Sequence, residues 1–161
     1  MDEQIRKTEK ITKQQAIPKI EYYCSYQERC HKEVTSKLYD YGLNTDEVGE
    51  VLTHLVKAGF LNEERFARAY AGGKFRQKNW GKTRIVRELK MRGISDYCIK
   101  KAMSEIDDDD YEESLKNQAE KYLATHKGGI GWQLKQKALK HLVSKGYEYE
   151  ECHKILQKLI G

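Results

Sequence analysis

The side chains with the most chemistry to offer are cations. Between Arg65 and Lys101 stand twelve Lys or Arg against only Glu88 and Asp96, a net +10 in a chain whose overall charge is +5. Arg68, Lys74, Arg76, Lys78 and Lys82 crowd a glycine-containing stretch, and Arg84, Arg87 and Lys90 follow within GKTRIVRELKMRG. Three residues advance an α-helix by roughly 300°, so Arg84, Arg87 and Lys90 step at about 60° intervals around a face opposite Ile85 and Leu89. A charge run is ordinarily a solvated face, yet one this concentrated repels itself unless an anionic partner relieves it. The chemistry implied is docking on an acidic protein surface or on nucleic-acid phosphates. Trp80 and Trp132, each beside a glycine, suit stacking on bases or on a partner, and equally suit packing as staples at helix starts.

Groups able to perform catalysis do not converge. The chain has no phosphate-binding loop, dinucleotide fingerprint, H-E-x-x-H or nucleophile elbow. His31, His54, His126, His141 and His153 are dispersed. Cys24, Cys30, Cys98 and Cys152 lack C-x-x-C spacing, which points to reduced thiols packed as small hydrophobes. The run Asp107–Asp110 lacks the ligand spacing of a calcium loop and reads as a linker and helix start. The expectation is a binding protein without enzymatic activity, metal or cofactor. No stretch approaches 18 apolar residues, and MDEQIRKTEKITKQQ lacks the apolar core of a secretory signal, so a cytoplasmic location is expected.

The elements that must present the cations are helices. Apolar residues recur at spacings of three and four almost throughout, Pro18 is the one proline, and no strand alternation appears. Charge is segmented: +2 over residues 1–20, −5 over 21–64, +10 over 65–101, −7 over 102–113 and +5 over 114–161.

Self-similarity organises the chain further. When Gly42, Gly93 and Gly146 are aligned, Val34, Ile85 and Ala138 coincide eight residues before, and Leu38, Leu89 and Leu142 four before. Leu43, Ile94 and Tyr147 follow directly; then Val48, Ile99 and Cys152; Val51, Ala102 and Ile155; Leu52, Met103 and Leu156; and Leu55, Ile106 and Leu159. A glycine at the end of a helix adopts positive φ without a Cβ penalty, and the next residue packs back on the last turn. Gly59, between Leu55 and Phe60, fits the same stop. Asn44 with Glu47, Ser95, and Glu148 with Glu150 and Glu151 mark the following helix starts. A further helical pattern precedes each pair: Ile20 to Tyr26, Phe66 to Tyr70 after Asn62, and Leu115 to Leu123.

The chain is therefore expected to be all-α, three tandem three-helix repeats in an elongated, curved arrangement, with residues 18–59, 60–106 and 107–161 as the repeats. Residues 1–17 are an N-terminal extension whose order the sequence leaves open. Gly72 to Gly81 and Lys127 to Gly131 are expected to connect the first and second helices of their repeats.

The segment LNEERFARAYAGGKFRQKNWGKTRIVRELKMRGIS resembles the central repeat of RecX proteins. Its pattern is met by Leu61, Glu63, Glu64, Arg65, Phe66, Ala67, Tyr70, Gly81, Arg84, Ile85, Glu88, Leu89, Gly93 and Ile94. Lys82 stands where the family often has proline, and the first and third repeats match only in their apolar skeleton. The resemblance implies a regulator of recombination, DNA repair and the SOS response. Such a regulator binds the RecA filament on single-stranded DNA, lies in its groove and inhibits ATP hydrolysis, strand exchange and co-protease action. A monomer is expected, with the eight cations above facing RecA or the DNA it holds. The rival expectation is a sequence-nonspecific DNA-binding helical protein.

Overall fold

The computed structural model describes residues 10–126 and 131–160. Among them are nine α-helices and no strand: α1 (Lys13–Tyr26), α2 (His31–Asp40), α3 (Thr45–Lys57), α4 (Glu63–Lys78), α5 (Lys82–Met91), α6 (Asp96–Met103), α7 (Asp108–Thr125), α8 (Gly131–Ser144) and α9 (Tyr149–Ile160). The chain divides into two compact units, Met1–Phe66 and Ala67–Gly161.

In the first unit α1, α2 and α3 pack against one another around Ala16, Ile20, Val34, Leu38, Val51 and Leu55, all buried. Its first helix starts at Lys13, inside the expected extension. Thr12 and Gln15 form a reciprocal capping box there, and Ala16, Ile20 and Cys24 continue a buried stripe at four-residue spacing. Pro18 sits within this helix on its exposed side, where water can serve the carbonyl of Gln14 that loses its donor.

Each repeated glycine ends its helix as the pattern anticipates. Gly42, Gly59, Gly93 and Gly146 all have positive φ, from +74° to +102°. The N–H of the residue after each donates to the carbonyl five residues back: Leu43 to Leu38, Phe60 to Leu55, Ile94 to Leu89 and Tyr147 to Leu142. With the second bond, from each glycine to the carbonyl three before it, these are four Schellman stops. Asn44, Ser95 and Asp107 cap α3, α6 and α7 with their side chains.

The aligned columns nearest the glycines are buried in all three repeats. The last three are looser, with Leu52, Met103, Ile155 and Leu159 half-buried, so the apolar stripe of α9 centres on Cys152 and Leu156. The glycine-rich stretch before α5 also departs from expectation. α4 runs on through Gly72 and Gly73 to Lys78, because Ala67, Ala71 and Phe75 extend its buried stripe through them. Each glycine weakens a helix by about 1 kcal/mol relative to alanine, less than the continued burial provides. The connection shrinks to residues 79–81. Of the other expected connection, Lys127 to Ile130 lie outside the described residues, and Gly131 already belongs to α8.

Candidate interaction surface

The basic segment is held by a junction that brings α5 to the ends of α7 and α8. Asn79, at φ +56°, closes α4, a conformation that asparagine tolerates better than most side chains. The chain then turns so that α5 starts directly against the C-terminal end of α8. The Gly81 N–H donates to Lys145 O at 2.9 Å and the Thr83 N–H to Gly146 O at 3.0 Å. The Lys82 N–H donates to the Tyr111 hydroxyl at 3.0 Å, which itself donates to a Glu148 carboxylate oxygen at 2.7 Å. Orphan donors of one helix thus meet orphan acceptors of another, and the two helix dipoles lie positive end to negative end. Tyr147 donates to Asn79 O at 3.0 Å and lies 2.9 Å from the Ser114 hydroxyl. The Phe75, Tyr111 and Tyr147 rings pack in sequence, 6.0 and 5.4 Å between centroids. Burial raises the hydroxyl pKa of both tyrosines, foremost among its causes, so both remain neutral donors.

The eight cations picked from the sequence separate into two groups around this junction. Arg68, Lys74, Lys82 and Arg84 are tied into the protein. Arg68 pairs with Glu105 at 2.8 Å. Lys74 lies over the Trp80 and Tyr70 rings, 5.0 and 5.4 Å from their centroids. Lys82 pairs with Asp108 at 3.5 Å and lies 4.6 Å over the Tyr111 ring. Arg84 stacks 4.0 Å over Trp80, and its Nε is buried with no hydrogen-bond partner. Arg84 therefore leaves the free helix face on which its spacing puts it.

Arg76, Lys78, Arg87 and Lys90 form the second group. All four are exposed, and none is in an ion pair among the described residues. On α5, Arg87 and Lys90 share the exposed strip of Thr83, with Met91 beside them at 62% exposure. The tryptophans part company as well: Trp80 is the half-buried platform for Arg84 and Lys74, whereas Trp132 is 71% exposed at the start of α8.

A second concave surface lies in the first unit. A groove of about 650 Å³ is lined by Lys19, Tyr22, Tyr23 and Tyr26 of α1 and by Lys37 and Tyr41, at the end of α2. Its signal was available in the i, i+3, i+4, i+7 spacing of the α1 residues. Tyr22 and Tyr26 are each 72% exposed, and the Arg29 guanidinium lies 3.7 Å over Tyr23.

The cysteines behave as core residues. All four are buried, and burial raises the pKa of Cys24 and Cys30 and pushes that of Cys152 up to about 12. No group of three or more His, Cys, Asp or Glu among the described residues is arranged to hold a metal ion. No described helix is long and apolar enough to cross a membrane.

Three-helix units with Schellman stops define an all-α helical-repeat protein. The family description "RecX, second three-helix domain" matches residues 62–103 and "RecX, third three-helix domain" matches residues 108–156. The chain belongs to the RecX family. It is 32% identical over 136 residues to the Regulatory protein RecX of Bacillus licheniformis, covering 84% of this chain and 52% of that protein. It is 29% identical over 133 residues to the Regulatory protein RecX of Clostridium perfringens, covering 81% of this chain and 62% of that protein. The matches thus span between half and two thirds of those relatives' length. The crystal structure of RecX from Lactobacillus salivarius has the same fold, with a TM-score of 0.82 over 91% of this chain and 96% of that one at 24% identity.

Proposed function

We propose that this protein is a cytoplasmic, non-enzymatic and monomeric regulator that binds the RecA filament on single-stranded DNA. Binding restrains the filament's ATP hydrolysis, strand exchange and co-protease action. The observation that carries the reading is the exposed, unpaired set Arg76, Lys78, Arg87 and Lys90 within or beside a segment that matches the second RecX domain. Arg87 and Lys90 make the initial contacts; Arg68, Lys74, Lys82 and Arg84 serve the same surface by holding α4 and α5 in place. Unpaired surface cations speed docking on an acidic partner and choose its orientation more than they add to final affinity.

The test is RecA ATPase on single-stranded DNA, titrating this protein while the DNA stays in excess of what it could coat. Substoichiometric inhibition is expected. Arg87→Glu with Lys90→Glu should raise the inhibitory concentration at least about tenfold, a change of roughly 1.4 kcal/mol. Helicity and melting temperature should stay unchanged, because both side chains are exposed. Arg84→Glu would be a poor probe, since it would break the Trp80 stack. Inhibition that added DNA titrates away would instead favour a sequence-nonspecific DNA-binding protein, for which affinity falls steeply with salt.

A further inference from the structure

Away from the exposed strip of α5, α7 and α8 line a pocket of about 390 Å³ that holds four basic side chains and no carboxylate. Lys121 and His126 come from the α7 side, and His141 and Lys145 from the α8 side. The Tyr122 ring is the platform for both imidazoles: His126 stacks at 3.9 Å with 13° between planes, and His141 at 4.7 Å with 28°. His126 Nδ1 lies 2.9 Å from Tyr122 O, which can only accept, and 3.0 Å from the Thr125 hydroxyl, so Nδ1 carries a proton, and the ring offers an anion a donor at Nε2 in its imidazolium form. Lys145 Nζ donates one hydrogen to Gln118 Oε1 at 3.2 Å and has two more to give.

None of these four groups, nor neighbouring Arg84, is in an ion pair among the described residues. They act on one another instead. After burial itself, Lys121 and Arg84 lower the Lys145 pKa, and Lys145 and His126 lower that of His141. The partial negative charge at the end of α8 offers limited relief, because Lys145 O and Gly146 O are already engaged by the N-terminus of α5. Arg84, whose buried Nε has no hydrogen-bond partner, has its Cβ beside this same helix end.

We infer that the α7–α8 pocket is a binding site for a phosphate group, with Lys121, Lys145 and His126 as its donors. The several N–H groups come from different helices and match the multiple acceptor oxygens of a tetrahedral oxyanion better than the two of a carboxylate. The bound anion relieves the mutual repulsion of the cluster, and its Coulomb field favours protonated His141, reversing the depression of that imidazole. Free phosphate and a nucleic-acid phosphodiester offer the same chemistry. The site stands apart from the filament reading, since Arg87 and Lys90 take no part in it.

The experiment is NMR of the histidine ring protons of the full chain at constant pH. One arm titrates inorganic phosphate, a second a short oligothymidylate without terminal phosphates, and a third sodium chloride. Saturable shifts of His126 and His141 with phosphate or oligonucleotide, and none with chloride, are expected. Lys121→Gln with His126→Gln, both exposed positions, should weaken binding at least about tenfold as read at His141. Saturation by the oligonucleotide would assign a phosphodiester, and saturation by phosphate alone a free or terminal phosphate. Absence of saturation in both arms, equal shifts with chloride, or unchanged binding in the double variant would overturn the assignment.

Discussion

Gly146 and Gly93 end their helices in the same way and meet opposite surroundings. Both have positive φ, both close a Schellman stop, and each is followed by a buried residue that bonds back to a leucine carbonyl. A Cβ on Gly146 would fall 2.3 Å from Arg84 Cβ and 2.7 Å from Arg84 N, whereas one on Gly93 would meet nothing within 4 Å. The stop is a local device that α2, α3, α5 and α8 share. The close approach is a property of the junction, in which the end of α8 is clamped onto the start of α5. One glycine is required by its torsion angle alone, the other by torsion and space together.

Gly81 completes the comparison, because it supplies the space without the torsion. Its φ is an ordinary −76°, but an added Cβ would lie 2.2 Å from both Gly146 C and Tyr147 N. Backbone lies on both sides, so the crowding cannot be relieved by a rotamer change. Gly81→Ala should have the largest effect, about 3 kcal/mol or more, since overpacking is joined by loss of the Gly81 and Thr83 hydrogen bonds to α8. Calorimetry should show a clear fall in melting temperature. An unchanged midpoint would mean that α5 and α8 do not meet as described.

Tyr111→Phe tests the polar side of the same clamp without adding volume. The buried hydroxyl serves the Lys82 N–H and the Glu148 carboxylate, and its removal leaves a donor and a charged acceptor short of a partner. A loss of about 2 kcal/mol in denaturant unfolding is expected, given the penalty for buried groups left unsatisfied. A neutral substitution would show that water replaces the hydroxyl at little cost.

This contrast also marks what could be read from the residues alone. The stops at Gly42, Gly59, Gly93 and Gly146 and the caps at Asn44 and Ser95 involve partners within six residues, so spacing alone exposes them. Tyr147 on Asn79 O and Tyr111 on Lys82 N–H span 68 and 29 residues, and no periodicity encodes them. The basic run was visible as charge, but its division into tied and free cations depends on Trp80, Asp108 and Glu105 arriving from elsewhere in the fold. Lys121, His126, His141 and Lys145 gave no signal, since two helices must pack before they share a pocket.

Gly93→Ala is the smallest of the three stability changes and sharpens the comparison most, because it isolates the torsional penalty. With open space around the position, an alanine there bears only the cost of a side chain at φ +74°, about 1 kcal/mol. Chemical denaturation should show that modest loss, and Gly146→Ala should exceed it by the steric part of the Gly81→Ala effect. Equal losses at Gly93 and Gly146 would mean that the approach of Arg84 to Gly146 adds no constraint beyond the helix stop. A loss at Gly93 of about 3 kcal/mol, well above the torsional cost, would instead imply that the open face of Gly93 is covered in solution.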